Sequence, residues 1–154
     1  MIGVRKASAE DEDFLYRIRS QPSVSEMSLS APPESREKHH RWLNNKLHDP
    51  NCAIYIIKLI TPDINDCVGY IRFDSMQLNH VVSVAVDEKY RGYGYAFDGM
   101  YAAITDFLHK HFKGRIRAYI KPDNKASIKL FKKLAFKKYG KDTVEGQEVL
   151  VYVF

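Results

Sequence analysis

Cysteine is nearly absent from this sequence. Only Cys52 and Cys67 occur in 154 residues, too few for a disulfide framework, and neither has the spacing of a metal-ligand set. Both fall in apolar, strand-like runs, so reduced, buried thiols are expected and no metal is predicted. Long hydrophobic runs are missing as well: no window approaches the ~20 apolar residues of a membrane span. The opening residues, MIGVRKASAEDED, lack the apolar segment of a signal peptide. A soluble, cytoplasmic protein that engages no membrane is the expectation. Internal repeats and low-complexity tracts are also lacking, which argues against a solenoid or a disordered chain. What is present is a 45% hydrophobic composition, sufficient in a chain of this length for a proper core, so residues 1–154 are read as a single domain.

The net charge of +5 is unevenly distributed. Residues 1–77 hold 10 Lys and Arg against 11 Asp and Glu, whereas residues 78–154 hold 14 against 8. The basic residues are not interleaved with aromatics in the pattern of a nucleic-acid module. A phosphate-rich small molecule accounts for the asymmetry more economically than a nucleic acid. Part of it belongs to a solvated helix face carrying Lys129, Lys132 and Lys133.

The most informative stretch is VVSVAVDEKYRGYGYA, from Val81 to Ala96. Val81, Val82, Val84 and Val86 predict a strand buried on both faces, ended by Asp87, Glu88 and Lys89. Gly92 and Gly94 follow, where the lack of a side chain lets backbone N–H groups come close to an anion. Phe97, Met100, Tyr101, Ile104, Phe107 and Leu108 then recur at helical spacing. The loop therefore feeds a helix N-terminus, whose unpaired amides and dipole favour bound phosphate. A dinucleotide-binding G-x-G-x-x-G is a poor match because Phe97 stands at the third glycine, and Gly114 to Ile120 reads as a basic strand instead of ending in an acidic residue. The missing G-K-[ST] rules out a Walker loop.

Before this stretch, Ile2 and Val4 mark a short strand, and Ser8 with Asp11 resembles a capping box ahead of a helix striped by Phe14, Leu15 and Ile18. Gln21 to Pro33 is rich in Ser and Pro and is predicted to be a binding loop. A second helix spans Glu34 to His48. Ala53 to Ile60 and Cys67 to Phe73 form an antiparallel pair around TPDIND. After the glycine loop, Arg115 to Ile120 is a strand, Asn124 caps a helix through Leu134, and two strands, Phe136 to Tyr139 and Glu148 to Phe154, flank the polar GKDTVEGQ. The class is α/β with strands outnumbering helices.

R-G-Y-G-Y-A at Arg91 to Ala96 resembles the R/Q-x-x-G-x-G/A signature of the GNAT superfamily of N-acetyltransferases. IKPDNKASIKLFKKLAF resembles that family's N-x-x-(A/S)-x-x-L-(Y/F)-x-K-x-G-F run, with Asn124, Ser127, Leu130, Phe131, Lys133 and Phe136 in register. The resemblance implies a mixed sheet of six to seven strands flanked by about four helices, with a splay between the two central strands that admits acetyl-CoA. Val84, Ala85 and Val86 would bind its pantetheine arm, Arg91, Gly92, Tyr93, Gly94, Tyr95 and Ala96 its pyrophosphate, and Asn124, Ser127 and Phe131 its other side. A backbone N–H near Val84 or Ala85 would stabilise the oxyanion. The family often places a proton-donating Tyr where Phe131 stands, which leaves the acid to water or to another tyrosine such as Tyr139, or lets CoA leave as a thiolate, a tolerable leaving group at a thiol pKa of about 8.5. Ala135 replaces the usual Gly before Phe136, with only a small packing consequence expected.

His80 and Ser83 are the candidate catalytic side chains, with Asp74 at the end of the preceding strand a further candidate base after His80. The N-terminal half is similar to bacterial nucleotide-sugar N-acetyltransferases of the pseudaminic-acid type, through LYRIRSQPSVSEMS, the H-x-x-W of His39 and Trp42, and VGYIRFD. That similarity implies a small-molecule amine acceptor, an amino-deoxy sugar linked to a nucleoside diphosphate, contacted by Arg17, His39, Trp42, Phe73 and Asp74, with Arg19 and Arg72 meeting phosphates or hydroxyls. A protein or ribosomal-protein N-terminal acetyltransferase and a non-catalytic acyl-CoA sensor are the alternatives. A monomer or homodimer is expected.

Overall fold

The structure, a computed structural model, describes residues 1–111 and 113–154. Seven strands form one sheet: β1 (Ile2–Lys6), β2 (Cys52–Ile60), β3 (Asn65–Met76), β4 (Asn79–Val86), β5 (Arg115–Ile120), β6 (Lys137–Val144) and β7 (Gln147–Val153). Their order is β1-β2-β3-β4-β5-β7-β6. All neighbours are antiparallel except β4 and β5, which run parallel. The helices are α1 (Glu12–Arg19), the single turn α2 (Pro22–Ser25), α3 (Arg36–His48), α4 (Tyr95–Lys110) and α5 (Lys125–Lys133). The predicted loop over Gln21 to Pro33 thus contains one helical turn, started by Pro22 at a position where a missing N–H costs nothing.

Strand alternation divides the core into two layers. Tyr55, Ile57, Ile71, Phe73 and Val82 join Met100 and Phe107 of α4 and Phe131 of α5 on one face. Ile54, Ile56 and Tyr70 join Leu15 and Ile18 of α1 and Leu43 of α3 on the other. Over Ala53 to Ile57 and Val68 to Ile71, where β2 and β3 are buried on both faces, their residues are almost all apolar, as this position demands. No described helix is long and apolar enough to cross a membrane.

The C-terminal hairpin departs from the expected boundaries. The polar segment GKDTVEGQ is largely strand: β6 continues to Val144, and Glu145 (φ 50°) and Gly146 (φ 74°) form the two-residue turn into β7. Both central residues at positive φ suit the twist of a hairpin. β6 is an edge strand, where lysines are tolerated and blunt the edge, so its polarity disguises it.

Candidate active site

The site is built around the place where β4 and β5 stop pairing. They are in register at Asn79 with Arg115, His80 with Ile116 and Val81 with Arg117, and nowhere beyond. β4 runs on to Val86 and β5 to Ile120, so both lose a neighbour over their C-terminal halves. The Asp87 N–H donates to Val68 O at 2.8 Å, and β4 pairs with β3 without interruption from Asn79 to Val86. Antiparallel alternation therefore turns the backbone groups of Val81, Ser83 and Ala85 toward β3 and those of Val84 and Val86 into the gap. The Val86 carbonyl accepts from Arg91 Nε at 3.0 Å. Val84 keeps a donor and an acceptor facing the opening, which suits an added strand-like ligand or a developing oxyanion.

Past β4 the chain meets the glycine loop. Gly92 has φ 85° and Gly94 φ 80°, conformations in which L side chains are strained. A Cβ at either glycine would meet nothing within 4 Å, so the space beside the backbone is open. Gly94 is the N-cap of α4 and offers no side chain to its amides. The first helical bond there is Asp98 N–H to Gly94 O, 3.2 Å, leaving the N–H groups of Tyr95, Ala96 and Phe97 without intrahelical partners at the positive end of a 16-residue helix. Arg91 secures the loop by donating to Ser23 Oγ at 2.9 Å. Tyr93, exposed, stacks on Tyr95 with ring centroids 5.4 Å apart.

The loop's base is held from α1. Asp87, 1% exposed, accepts from Arg17 at 2.8 Å and from Gln21 Nε2 at 3.0 Å. Burial by itself would raise this carboxyl, but Gln21 and Arg17 outweigh it and hold it below the usual carboxylate range. One guanidinium nitrogen of Arg17 is thereby engaged by the fold, and the side chain stays half exposed.

On the opposite lip, Asn124 accepts from Ser127 N–H at 3.2 Å and caps α5. Phe131 is 3% exposed in the core, its ring edge-on to Phe136 at 4.9 Å, and lies on the α4 side of the sheet. The end of α5 explains Ala135. Phe136 N–H donates to Phe131 O (2.9 Å) and Ala135 N–H to Lys132 O (3.0 Å), the paired bonds of a Schellman motif, and Ala135 is left at φ 68°. That position favours glycine for its backbone, so the consequence of alanine here is conformational strain and not the small packing change expected.

Two expected site residues belong to the core. His80 is 5% exposed, with Nδ1 2.7 Å from Ser75 Oγ and Nε2 2.9 Å from Lys113 O. Both nitrogens are used, and His80 lies six residues before Val86, about 20 Å along the strand at its usual rise. These contacts leave no free nitrogen to act as the base. Phe73 is fully buried and stacks on Phe107 at 4.1 Å, on the α4 face, so it does not meet an acceptor. Tyr139, 72% exposed on the edge strand beneath Arg117, is separated from β5 by β7.

The remaining candidates gather on the α1/α3 face. Trp42 of α3 lies under two guanidiniums, Arg19 at 3.8 Å and Arg72 at 5.3 Å from its ring centroid. Arg72 Nε donates to Asp74 Oδ2 (2.7 Å) and Lys46 Nζ to Asp74 Oδ1 (3.1 Å). Burial would raise the Asp74 carboxyl, yet Arg72 and Lys46 keep it below its ordinary value, which makes it a poor base. Burial, and then the neighbouring Arg72, lower Arg19. His39, 1% exposed, packs edge-on to Tyr16 at 5.3 Å and beside Trp42 at 5.6 Å. Neither of its nitrogens has a hydrogen-bond partner, and burial pushes it down to about 4. Ser83 pairs with Arg72 across β3 and β4, so its side chain points to this face.

A separate cleft of about 500 Å³ is lined by Ser25 at the end of α2, by Ser28, Ser30 and Pro32 of the loop before α3, by Lys121 just past β5, and by Glu145 and Gln147 of the hairpin. The Ser- and Pro-rich composition singled out its loop; nothing in the sequence singled out Lys121, Glu145 or Gln147, which only the β5-β7-β6 order brings there. No cluster of metal-ligating side chains occurs among the described residues.

Residues 2–137 match the family model of an acetyltransferase (GNAT) domain. Among curated proteins, none matches significantly. Solved structures with the same fold include a domain from Methanocaldococcus jannaschii, 22% identical over 100% of this chain and 97% of its own, with a TM-score of 0.84. Spermidine N-acetyltransferase from Vibrio cholerae, in complex with CoA and spermine, is 14% identical over 99% of this chain and 94% of its own, at 0.88. The aminoglycoside acetyltransferase AAC(6')-Ib with coenzyme A is 16% identical over 100% and 94%, at 0.84.

Proposed function

Because the chain belongs to the acetyltransferase (GNAT) domain family and is an acetyl-CoA-dependent N-acetyltransferase, we propose that its acceptor is the primary amine of an amino-deoxy sugar linked to a nucleoside diphosphate. The observation that carries this reading is the pair of guanidiniums, Arg19 and Arg72, packed about Trp42 on the acceptor face. Two cations held beside an aromatic ring suit a ligand with phosphates and a flat base or ring. They disfavour a polycation such as a polyamine, which like charges repel. The serine-lined cleft adds hydroxyls for a sugar.

In this reading the amides at the start of α4 and of the glycine loop hold the CoA pyrophosphate. Val84 and Val86 pair with the pantetheine arm, and Asn124 and Ser127 flank it from α5. The Val84 N–H faces the thioester carbonyl, whose oxygen gains charge as the neutral amine attacks. Ser83 stands on the acceptor side of the same strand, where it can hydrogen-bond the incoming amine.

Release of CoA thiol from acetyl-CoA, measured in parallel with a UDP-linked amino-deoxy sugar, spermidine and a peptide with a free N-terminus, tests the acceptor. The amino-sugar nucleotide is expected to give the highest kcat/KM, and Arg72→Ala to raise its KM at least tenfold, about 1.4 kcal/mol. Turnover of spermidine or of the peptide in preference to the sugar nucleotide contradicts the proposal.

A further inference from the structure

The sulfur that leaves a thioester as CoA thiol takes up a proton, and Phe131 has none to give. We infer that the donor is Tyr119, on the β5 lip of the splay. The inference rests on acetyl transfer at the gap between β4 and β5, and is independent of which amine is the acceptor.

The strand register places Tyr119. The last paired level is Val81 with Arg117. Two residues further along each parallel strand are Ser83 and Tyr119, at the same height and on opposite sides of the opening. Alternation also fixes the face. Ile116, Ala118 and Ile120 all enter the core under α4 and α5, so Arg117, Tyr119 and Lys121 project to the opposite face, the one to which Ser83 and Ala85 project from β4. Lys121, two residues beyond Tyr119 on that face, lines the serine-rich cleft. An amine that enters by this cleft and moves toward the Val84 N–H meets Tyr119 next.

The other groups near the gap are unsuited to the task. On the α4 face the lips carry Val84, Val86, Ala118 and Ile120, with Phe131 behind them, and none has an acidic hydrogen. On the acceptor face Lys121 donates its ammonium to Glu26 O at 2.7 Å, Arg117 lies over Tyr139, and a serine hydroxyl is a far weaker acid than a phenol. Tyr119 is half-buried, and no hydrogen bond or ring contact engages it among the described residues. Its hydroxyl is therefore free to serve.

The proton balance closes with this residue. The amine nitrogen bonds to the carbonyl carbon, and the C–S bond breaks with its electron pair on sulfur. Tyr119 Oη gives its proton to that sulfur, forming CoA thiol. The nitrogen gives up its proton as the amide forms, and the phenolate regains one through solvent, leaving the enzyme unchanged.

The test is Tyr119→Phe, assayed with whichever of the three amines the wild-type protein turns over fastest, and also for acetyl-CoA hydrolysis without amine. The expected result is a fall in kcat of about 10²-fold, with KM for acetyl-CoA, the Kd for CoA and Tm unchanged. That split separates proton donation from a packing role, which lowers Tm or CoA affinity along with kcat. Full activity in Tyr119→Phe overturns the inference, as does a loss confined to Tyr139→Phe. Neither result touches the acceptor assignment, and a different best amine leaves the Tyr119 result intact.

Discussion

At the scale of single residues, the informative positions are those where a side chain and its backbone or its surroundings disagree. Ala135 sits at φ 68° as the left-handed residue after α5. A non-glycine residue there costs on the order of 1 kcal/mol. Ala135→Gly is expected to raise Tm by roughly 2–4 °C in calorimetry, with catalysis unchanged. His39 is a second case. Burial holds it at about 4 against an ordinary 6.5, so between those values the unfolded chain binds a proton that the folded one refuses. Stability should therefore be level above pH 6.5 and decline toward pH 4, by about 3 kcal/mol in all. The charged groups facing His39 are Arg19, Glu12, Arg36 and His40, of which Arg19 opposes its protonation and Glu12 favours it. In urea titrations at pH 7 and pH 4.5, His39→Leu should lose less of its midpoint than the wild-type protein does. The sequence could place both residues in their elements but not reveal their condition. The motif register located Ala135 without its φ, and burial of His39 and His80 depends on partners from other elements.

At the scale of elements, two junctions carry the site. The glycine loop was legible because its chemistry is local: Gly92 and Gly94 announce positive φ, and the apolar spacing after them announces α4. Gly94→Val introduces a side chain into the open space beside an N-cap at φ 80°. CoA affinity should fall by roughly 10²-fold or more by calorimetric titration, and retained binding would refute the loop's role. The junction of α1 with the end of β4 was not legible, because Arg17, Gln21 and Asp87 are brought together only by folding. Asp87→Ala removes a buried acceptor of three hydrogen bonds and should cost about 2 kcal/mol in denaturant unfolding, with weaker CoA binding as the loop loses its support. Arg17 is half exposed, which keeps the penalty below that of a fully buried pair. The second half of β6 escaped recognition for a different reason: an edge strand that alternates little and is rich in lysine resembles a linker.

At the scale of the whole molecule, a continuous sheet is interrupted at one place. The antiparallel pairing of β2 with β3 could be read from the sequence, and the long helical segment between β4 and β5 suits a parallel crossover; the rest of the strand order came only from the structure. The same interruption sets the two faces apart, with α4 and the glycine loop on one side and Trp42, Arg19, Arg72 and the serine-lined cleft on the other. In the proposed reading, donor and acceptor approach from opposite sides and meet at the backbone of Val84. Residue-resolved amide exchange with and without CoA tests this most directly. Ser83 and Ala85, already bonded to β3, should exchange slowly in both states, while Val84 and Val86 should be fast alone and become protected at saturating CoA. Saturation that leaves the exchange of Val84 and Val86 unchanged would contradict the placement of the donor in the splay.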